Sequence, residues 1–386
     1  MQKYSTPSSL RKIRVSLIVV GLVFLLVALI GLVQPATAAP VREPVAFSPQ
    51  TIACLTCHSK EDFNRTLPSG EVLSLTINAD HFDVSAHGTL DCTDCHTDIS
   101  SFPHPKLTAQ SLGDVTAQFS TSCQSCHADQ YDNTIDSVHQ TARDGGNPNT
   151  PLCTDCHNPH TQTPLTDQDG NLFAAARIEV PEKCAQCHSG IYDQYQASVH
   201  EAALLAEGNT DVPTCMDCHG VHNIQDPTTN DFRLNSPVLC SNCHTDPEVM
   251  DKYGISTHVL SSYVADFHGT TVIFAQQSPD QAVNTPVCFD CHGVHDIKSV
   301  DDPEYGLLMK QNLLNTCQTC HPDATANFPD AWMNHYSPSP EHYPIVYYVQ
   351  LFYKFFIPGV LGPMMLYVLS DIVRRLIERR KGAKRA

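Results

Sequence analysis

The sequence predicts a mainly α-helical chain with extensive loops and one or two membrane-spanning helices. Its extramembrane core is expected to be built from something other than apolar side chains. Three observations predict this. All 18 cysteines of the 386 residues fall into nine C-x-x-C-H motifs. Between residues 41 and 343 there is neither a long helical period nor a run of alternating strand residues, and Pro, Asp, Asn and Thr fill the gaps between motifs. Two long apolar runs sit near the ends, at 15–33 and 345–372.

The motifs contribute Cys54, Cys57 and His58; Cys92, Cys95 and His96; Cys123, Cys126 and His127; Cys153, Cys156 and His157; Cys184, Cys187 and His188; Cys215, Cys218 and His219; Cys240, Cys243 and His244; Cys288, Cys291 and His292; and Cys317, Cys320 and His321. C-x-x-C-H is the attachment sequence of a c-type haem, with two thioether cysteines and an axial histidine. Paired C-x-x-C also occurs in zinc ribbons, and cysteine-rich chains can carry disulfides. Neither needs histidine directly after the second cysteine nine times in nine, so nine covalently bound haems c are expected. No cysteine remains for a disulfide, a nucleophile or a lipid anchor. With roughly 34 residues per motif, a conventional apolar core is out of reach, so stacked haems would form the core. Each tether would also restrain the unfolded chain, as a disulfide does.

The ends read as membrane elements. Lys3, Arg11, Lys12 and Arg14 precede the apolar run 15–33, which is followed by ATAA. Residues 1–40 are therefore either a cleaved signal peptide or a retained N-terminal anchor. The run 344–372 carries only Lys354 and, at its end, Asp371 as charged residues, and leads into the basic tail 373–386. It predicts a transmembrane helix with a cytoplasmic tail, which leaves residues 41–343 as a nine-haem extracytoplasmic (periplasmic) domain. An amphipathic surface helix fits less well, because residues 355–369 have no polar face.

The net charge is −18 although both termini are basic, so the acidic excess lies in the body. That excludes nucleic acid as a partner and suits redox proteins with basic docking surfaces; a merely solvated acidic surface fits equally well.

A repeat emerges when the motifs are read in twos. The units cover about 54–104, 123–160, 184–222 and 240–295, with a single haem motif at 317–321. CQSCHADQYDNTIDSVHQ and CAQCHSGIYDQYQASVHE each place an S-V-H histidine after the first motif, while CTDCHNPH, CMDCHGVH and CFDCHGVH place another three residues after the second. Nine of the 21 histidines are motif ligands, and nine of the other twelve are nominated as second axial ligands: His87, His104, His139, His160, His200, His222, His268, His295 and His335. His268 is preferred to His258 because glycine follows it, as in SAHG. His335 is preferred to His342 as the partner of the ninth haem, by proximity to His321. Histidines three apart on a helical turn leave from one face and cannot grip a single iron from both sides. His160 is therefore expected to reach a different haem from His157, stapling neighbours together. Methionine ligation would raise the potential, but the haem region outside the motifs offers few methionines, so bis-histidine iron is expected.

CTDCHNPH, CMDCHGVH and CFDCHGVHDI, each preceded by an S-x-H or F-H-G histidine, resemble the doubled-motif multihaem c-type cytochromes of bacterial respiratory chains, over residues 50–335. The resemblance implies a membrane-anchored subunit that exchanges electrons with quinone, directly or through a b-type cytochrome. The end of the chain, from CHPDATANFPDAWMNH onward, resembles the junction of such cytochromes with a b-type domain or subunit. Only one spanning segment is present there and no intramembrane histidine pair, so a b haem would have to come from a separate partner. Alternatively the chain itself oxidises quinol, as a quinol dehydrogenase subunit, with Lys354, Tyr347, Tyr348 and Tyr353 near the site. Lys354 equally fits a lysine that snorkels to the interface. The expected function is electron transport in anaerobic or other respiration between the quinone pool and extracytoplasmic partners. The alternative is a multihaem oxidoreductase that reduces a nitrogen or sulfur oxyanion at one open haem. All nine motifs end in histidine and spare histidines exceed demand, which favours the electron-transfer protein over an enzyme. A filament-forming cytochrome fits poorly with an uncleavable spanning segment.

Overall fold

A computed structural model describes residues 46–277, 284–332 and 334–383. The N-terminal apolar run, with its signal-peptide and anchor alternatives, lies outside them. The described residues are mainly helical. Strand is confined to one antiparallel hairpin, Asn64–Thr66 with Val72–Ser74 and Arg65 opposite Leu73, and an isolated bridge between Thr166 and Leu172.

The chain divides into two compact units. One holds residues up to Tyr131 together with Gly146–Lys183, and the other holds Asp132–Gly145 and Cys184–Ala386. The sequence repeat 123–160 is thereby divided: His127 and His160 belong to the first unit and His139 to the second.

The doubling of the motifs has a structural form. The first motif of each sequence pair, and the ninth motif, lies at or just past the end of a longer helix: Pro49–His58, Leu112–Gln124, Ala174–Ala185, Asn230–His244 and Lys310–Gln318. Three of these start at side-chain caps that satisfy an otherwise unpaired backbone N–H: Ser48 accepts from Thr51, Ser111 from Asp114 and Thr229 from Phe232. The second motif of each pair is instead a helical turn of its own: Cys92–Cys95, Cys153–Cys156, Cys215–His219 and Cys288–His292. An isolated turn this short is unstable by itself. In all four the aspartate inside the motif folds back onto the backbone N–H before the turn. Asp94 accepts from Asp91 at 2.9 Å, Asp155 from Leu152 at 2.7 Å, Asp217 from Thr214 at 2.6 Å and Asp290 from Val287 at 2.6 Å. The first-type motifs carry no aspartate and take their helix from the preceding sequence.

Apolar packing is sparse. In the second unit Leu234, Tyr263, Val272 and Val287 form a buried cluster, flanked by Leu260, Val264, Ala275 and Phe289. Tyr263 donates its hydroxyl to the Pro286 carbonyl at 2.8 Å, so its polar end is satisfied. Arg233 lies 5.2 Å over the Phe289 ring and pairs with Asp290 at 2.6 Å, which fastens helix Asn230–His244 to the turn Cys288–His292. Each large side chain so buried contributes about 1.5–3 kcal/mol.

Helix Pro344–Ala383 has 40 residues. Its segment Pro344–Arg380 is long and apolar enough to cross a membrane, and none of its most apolar stretch is buried against the protein. A soluble core helix of that composition would be covered; this one is uncovered, as a membrane-spanning helix is. Pro358 and Pro363 lie inside it, which apolar spanning helices tolerate.

Candidate functional site

Four of the non-motif histidines share one local device. Two residues before each stands a side chain whose oxygen accepts a backbone N–H in the turn carrying the histidine. Ser85 accepts from His87 at 3.2 Å, Ser137 from Gln140 at 3.2 Å, Ser198 from Glu201 at 3.1 Å and Asp266 from His268 at 3.0 Å. The S-x-H and D-F-H patterns are thus caps that set the histidine at the start of a turn. Gly269, directly after His268, packs so closely that an added Cβ would collide with the Tyr263 carbonyl. Gly293 has φ 84° and ψ 172°, a conformation open essentially only to glycine; it turns the chain between His292 and His295.

Histidines from these turns face motif histidines. In the first unit His58 faces His104 with ring centres 6.1 Å apart, His96 faces His160 at 6.1 Å, and His127 faces His87 at 6.2 Å. In the second unit His188 faces His139 at 6.2 Å, His219 faces His295 at 6.1 Å, and His244 faces His200 at 6.4 Å. His292 faces His335 at 6.2 Å and His321 faces His268 at 6.3 Å. Every one of these eight pairs joins one motif histidine to one histidine from outside the motifs. Interplanar angles run from 11° to 79° while the spacing stays between 6.1 and 6.4 Å. Ring stacking would restrict the angle and bring the faces closer. A metal held by two axial nitrogens at about 2 Å each, with about 1.1 Å from nitrogen to ring centre, sets the centres roughly 6.2 Å apart whatever the twist.

His157 belongs to the first unit and has its Nδ1 3.2 Å from Gln162 Oε1; His222 belongs to the second, in the turn after Cys215–His219. The three histidines not nominated behave differently. His81 and His258 are exposed, and His342 lies parallel to Tyr336 at 4.3 Å. None of the three faces an imidazole among the described residues.

Several rings are oriented through Nδ1, which leaves Nε2 toward the facing ring. His58 Nδ1 is 2.8 Å from the Leu75 carbonyl, His87 Nδ1 3.1 Å from Pro159 O, His335 Nδ1 3.3 Å from Ser262 Oγ and His268 Nδ1 3.4 Å from Asp266. Burial, reinforced by neighbouring imidazoles, pushes the pKa of His160 and His292 down to about 4, and burial beside His244 does the same for His200. These rings are neutral at pH 7, the form that binds metal. Among the described residues no three or more His, Cys, Asp or Glu side chains converge as a metal-binding group. The described residues offer facing imidazole pairs, an arrangement that suits a cofactor bringing its own equatorial ligands.

The cysteines and the histidine turns give the motifs an order. The thiols of Cys54 and Cys92 lie close enough to perturb each other's ionisation, as do those of Cys123 and Cys153, Cys184 and Cys215, and Cys240 and Cys288. None of the 18 cysteines is in a disulfide. Cys95 lies within electrostatic reach of Cys126, Cys218 of Cys240 and Cys243, and Cys291 of Cys317 and Cys320. Single backbone hydrogen bonds clip successive repeats at their histidine turns: Ala86 N–H to Gln162 O at 2.7 Å, Val138 to Ile224 at 2.8 Å and Val199 to Ile297 at 2.9 Å. Each bond runs from the residue before one non-motif histidine to the residue two after another. Trp332, the only tryptophan, lies 6.0 Å from His268 and 6.2 Å from His335. Within each unit the motifs thus follow one another in sequence order.

No family model matches the chain, and neither does any curated protein or solved structure. One expected assignment changes. Proximity in sequence pointed from His335 to His321, but His335 faces His292 and His268 faces His321. His335 is held in place by Ser256 and Ser262, which carry it to His292. Sequence reasoning also missed the aspartates of the second-type motifs; the signal was their recurrence at one position in CTDCH, CTDCH, CMDCH and CFDCH. In helix Pro344–Ala383, Tyr348 lines a shallow groove with Leu351, Phe352, Phe355 and Phe356, and Lys354 is not part of it.

Proposed function

We propose that the chain is a membrane-anchored nine-haem c-type cytochrome that carries electrons between the membrane quinone pool and extracytoplasmic redox partners. The observation that carries this reading is the set of eight facing histidine pairs, each with one C-x-x-C-H histidine and a spacing suited to one iron. The motif cysteines would hold each porphyrin by thioethers, and haem, when bound, supplies a one-electron couple. The chain's own contribution is to orient neutral imidazoles, to bring successive motifs together and to fix the order in which they follow. Motif order supports two series, Cys54 to Cys153 in the first unit and Cys184 to Cys317 in the second. The motif of Cys317 and His321 precedes helix Pro344–Ala383, so electrons would enter or leave the membrane there, directly from quinol or through a b-type cytochrome. Arg374, Arg375, Arg379 and Arg380 support a cytoplasmic C-terminus and a haem region on the opposite side. Histidine on both sides of eight of the proposed irons supports low potentials and electron transfer rather than catalysis.

The test is a haem count and a reduction assay. After acid–acetone extraction, the pyridine haemochrome spectrum should give nine haems c per chain, and native membranes supplied with quinol should reduce them. Fewer than nine, or haems that no quinol reduces in membranes, would overturn the proposal.

A further inference from the structure

The nine nominated non-motif histidines are not held equally. His87, His139, His200 and His268 sit in capped turns, and three of those turns are clipped to the following repeat. His160 is half-buried, beside Phe82 and His96. His335 is held on both sides, its carbonyl accepting from Ser256 at 3.4 Å and its ring lying against Ser262. His104 alone among the nine is exposed. Among the described residues no backbone N–H or carbonyl from Ser100 to Leu107 is hydrogen-bonded to another segment, and the His104 ring bonds its own neighbour, Pro105 O, at 2.9 Å. Across the gap His58 is firmly placed, on helix Pro49–His58 with its Nδ1 fixed by Leu75 O. This motif comes first in sequence among the nine, and its Cys54 lies close to Cys92 of the next.

Local opening is easiest where a segment is exposed and its backbone is not hydrogen-bonded. We infer that the His58–His104 centre is a ligand-exchange site, at which His104 swings away and a small neutral π-acceptor such as carbon monoxide or nitric oxide takes its place opposite His58. One dative bond from His104 Nε2 breaks and one from the incoming ligand forms; no electron or proton changes hands. The net charge of −18 works against anionic ligands and leaves neutral diatomics as the favoured class. The inference rests on the haem reading, and the two fail separately: the haemochrome count tests the haems, gas binding tests His104.

The experiment uses the full-length holoprotein in detergent, reduced with dithionite and titrated with carbon monoxide. Wild type should take up one carbon monoxide per nine haems, slowly, because the loop must open first. His104→Ala should keep nine haems and the same single uptake, about tenfold faster, since no opening precedes binding. His160→Ala should bind two, one slow as in wild type and one new. A nine-haem wild type that binds none would overturn the inference. So would a His104→Ala protein that binds two, because the exchanging iron would then lie elsewhere. If His104→Ala fails to accumulate, free imidazole added to wild type gives the second readout. It should compete with carbon monoxide at one haem in nine, and failure to compete at any concentration overturns the inference as well.

Discussion

His160 stands 6.1 Å from His96, is neutral at pH 7, and leaves the chain three residues after a motif histidine that it does not serve. Removing it should leave one iron with a single protein ligand. His160→Ala is therefore expected to convert one ninth of the haem from low-spin to high-spin, read by EPR of the oxidised protein, whereas His81→Ala should change nothing. Gly269→Ala places a Cβ against the Tyr263 carbonyl, so the turn carrying His268 must shift. It should lower the thermal midpoint by several degrees and weaken the low-spin signal of one haem. Much of this scale was legible in the sequence. The eighteen cysteines and nine motif histidines announce themselves by spacing alone. So does the separation of His160 from His157, because side chains three apart on a turn cannot oppose each other. The partner of each non-motif histidine was not legible. Sequence distance decides little when the fold brings separate segments together: His335, expected beside His321, faces His292, held by Ser256 and Ser262.

At the scale of elements, the chain builds its short turns from caps. Ser198 precedes His200 and accepts from Glu201, and its loss leaves an N–H near a buried turn without a partner. Ser198→Ala should cost about 1 kcal/mol in denaturant unfolding, with no change in haem content. Asp290 both caps the turn Cys288–His292 and pairs with Arg233, whose side chain is partly exposed. Asp290→Ala should cost about 1–2 kcal/mol, more than Arg233→Gln, because the cap is lost along with a partly screened ion pair. The sequence showed that helices would be short and loops extensive, but periodicity could not find turns of four or five residues. Their signals were the aspartate inside the motif and the serine two positions before the histidine. Both are polar residues whose role is visible only once the backbone N–H they satisfy is known.

At the scale of the whole molecule, helix Pro344–Ala383 exposes its apolar surface throughout its most apolar stretch, so the full-length protein should behave as an integral membrane component. Alkaline carbonate and high salt should leave it in the membrane pellet and detergent should release it; release by salt alone would rule out a spanning helix. The sequence made this element legible because length and apolarity alone define it, whereas the division of repeat 123–160 between two units had no local signal. The histidine pairings also have a consequence for how the proposed cytochrome would be made. If the chain is exported from its N-terminus and its haems are attached as proposed, it presents Cys92, Cys95 and His96 long before His160, and His219 long before His295. An iron attached early would wait, with one face uncovered, for a histidine still to be delivered. Any chain that stops short of its C-terminal haem region would keep such an iron open permanently. Maturation therefore has a direction, and incomplete products should reveal themselves by reacting with gases that the finished protein mostly refuses.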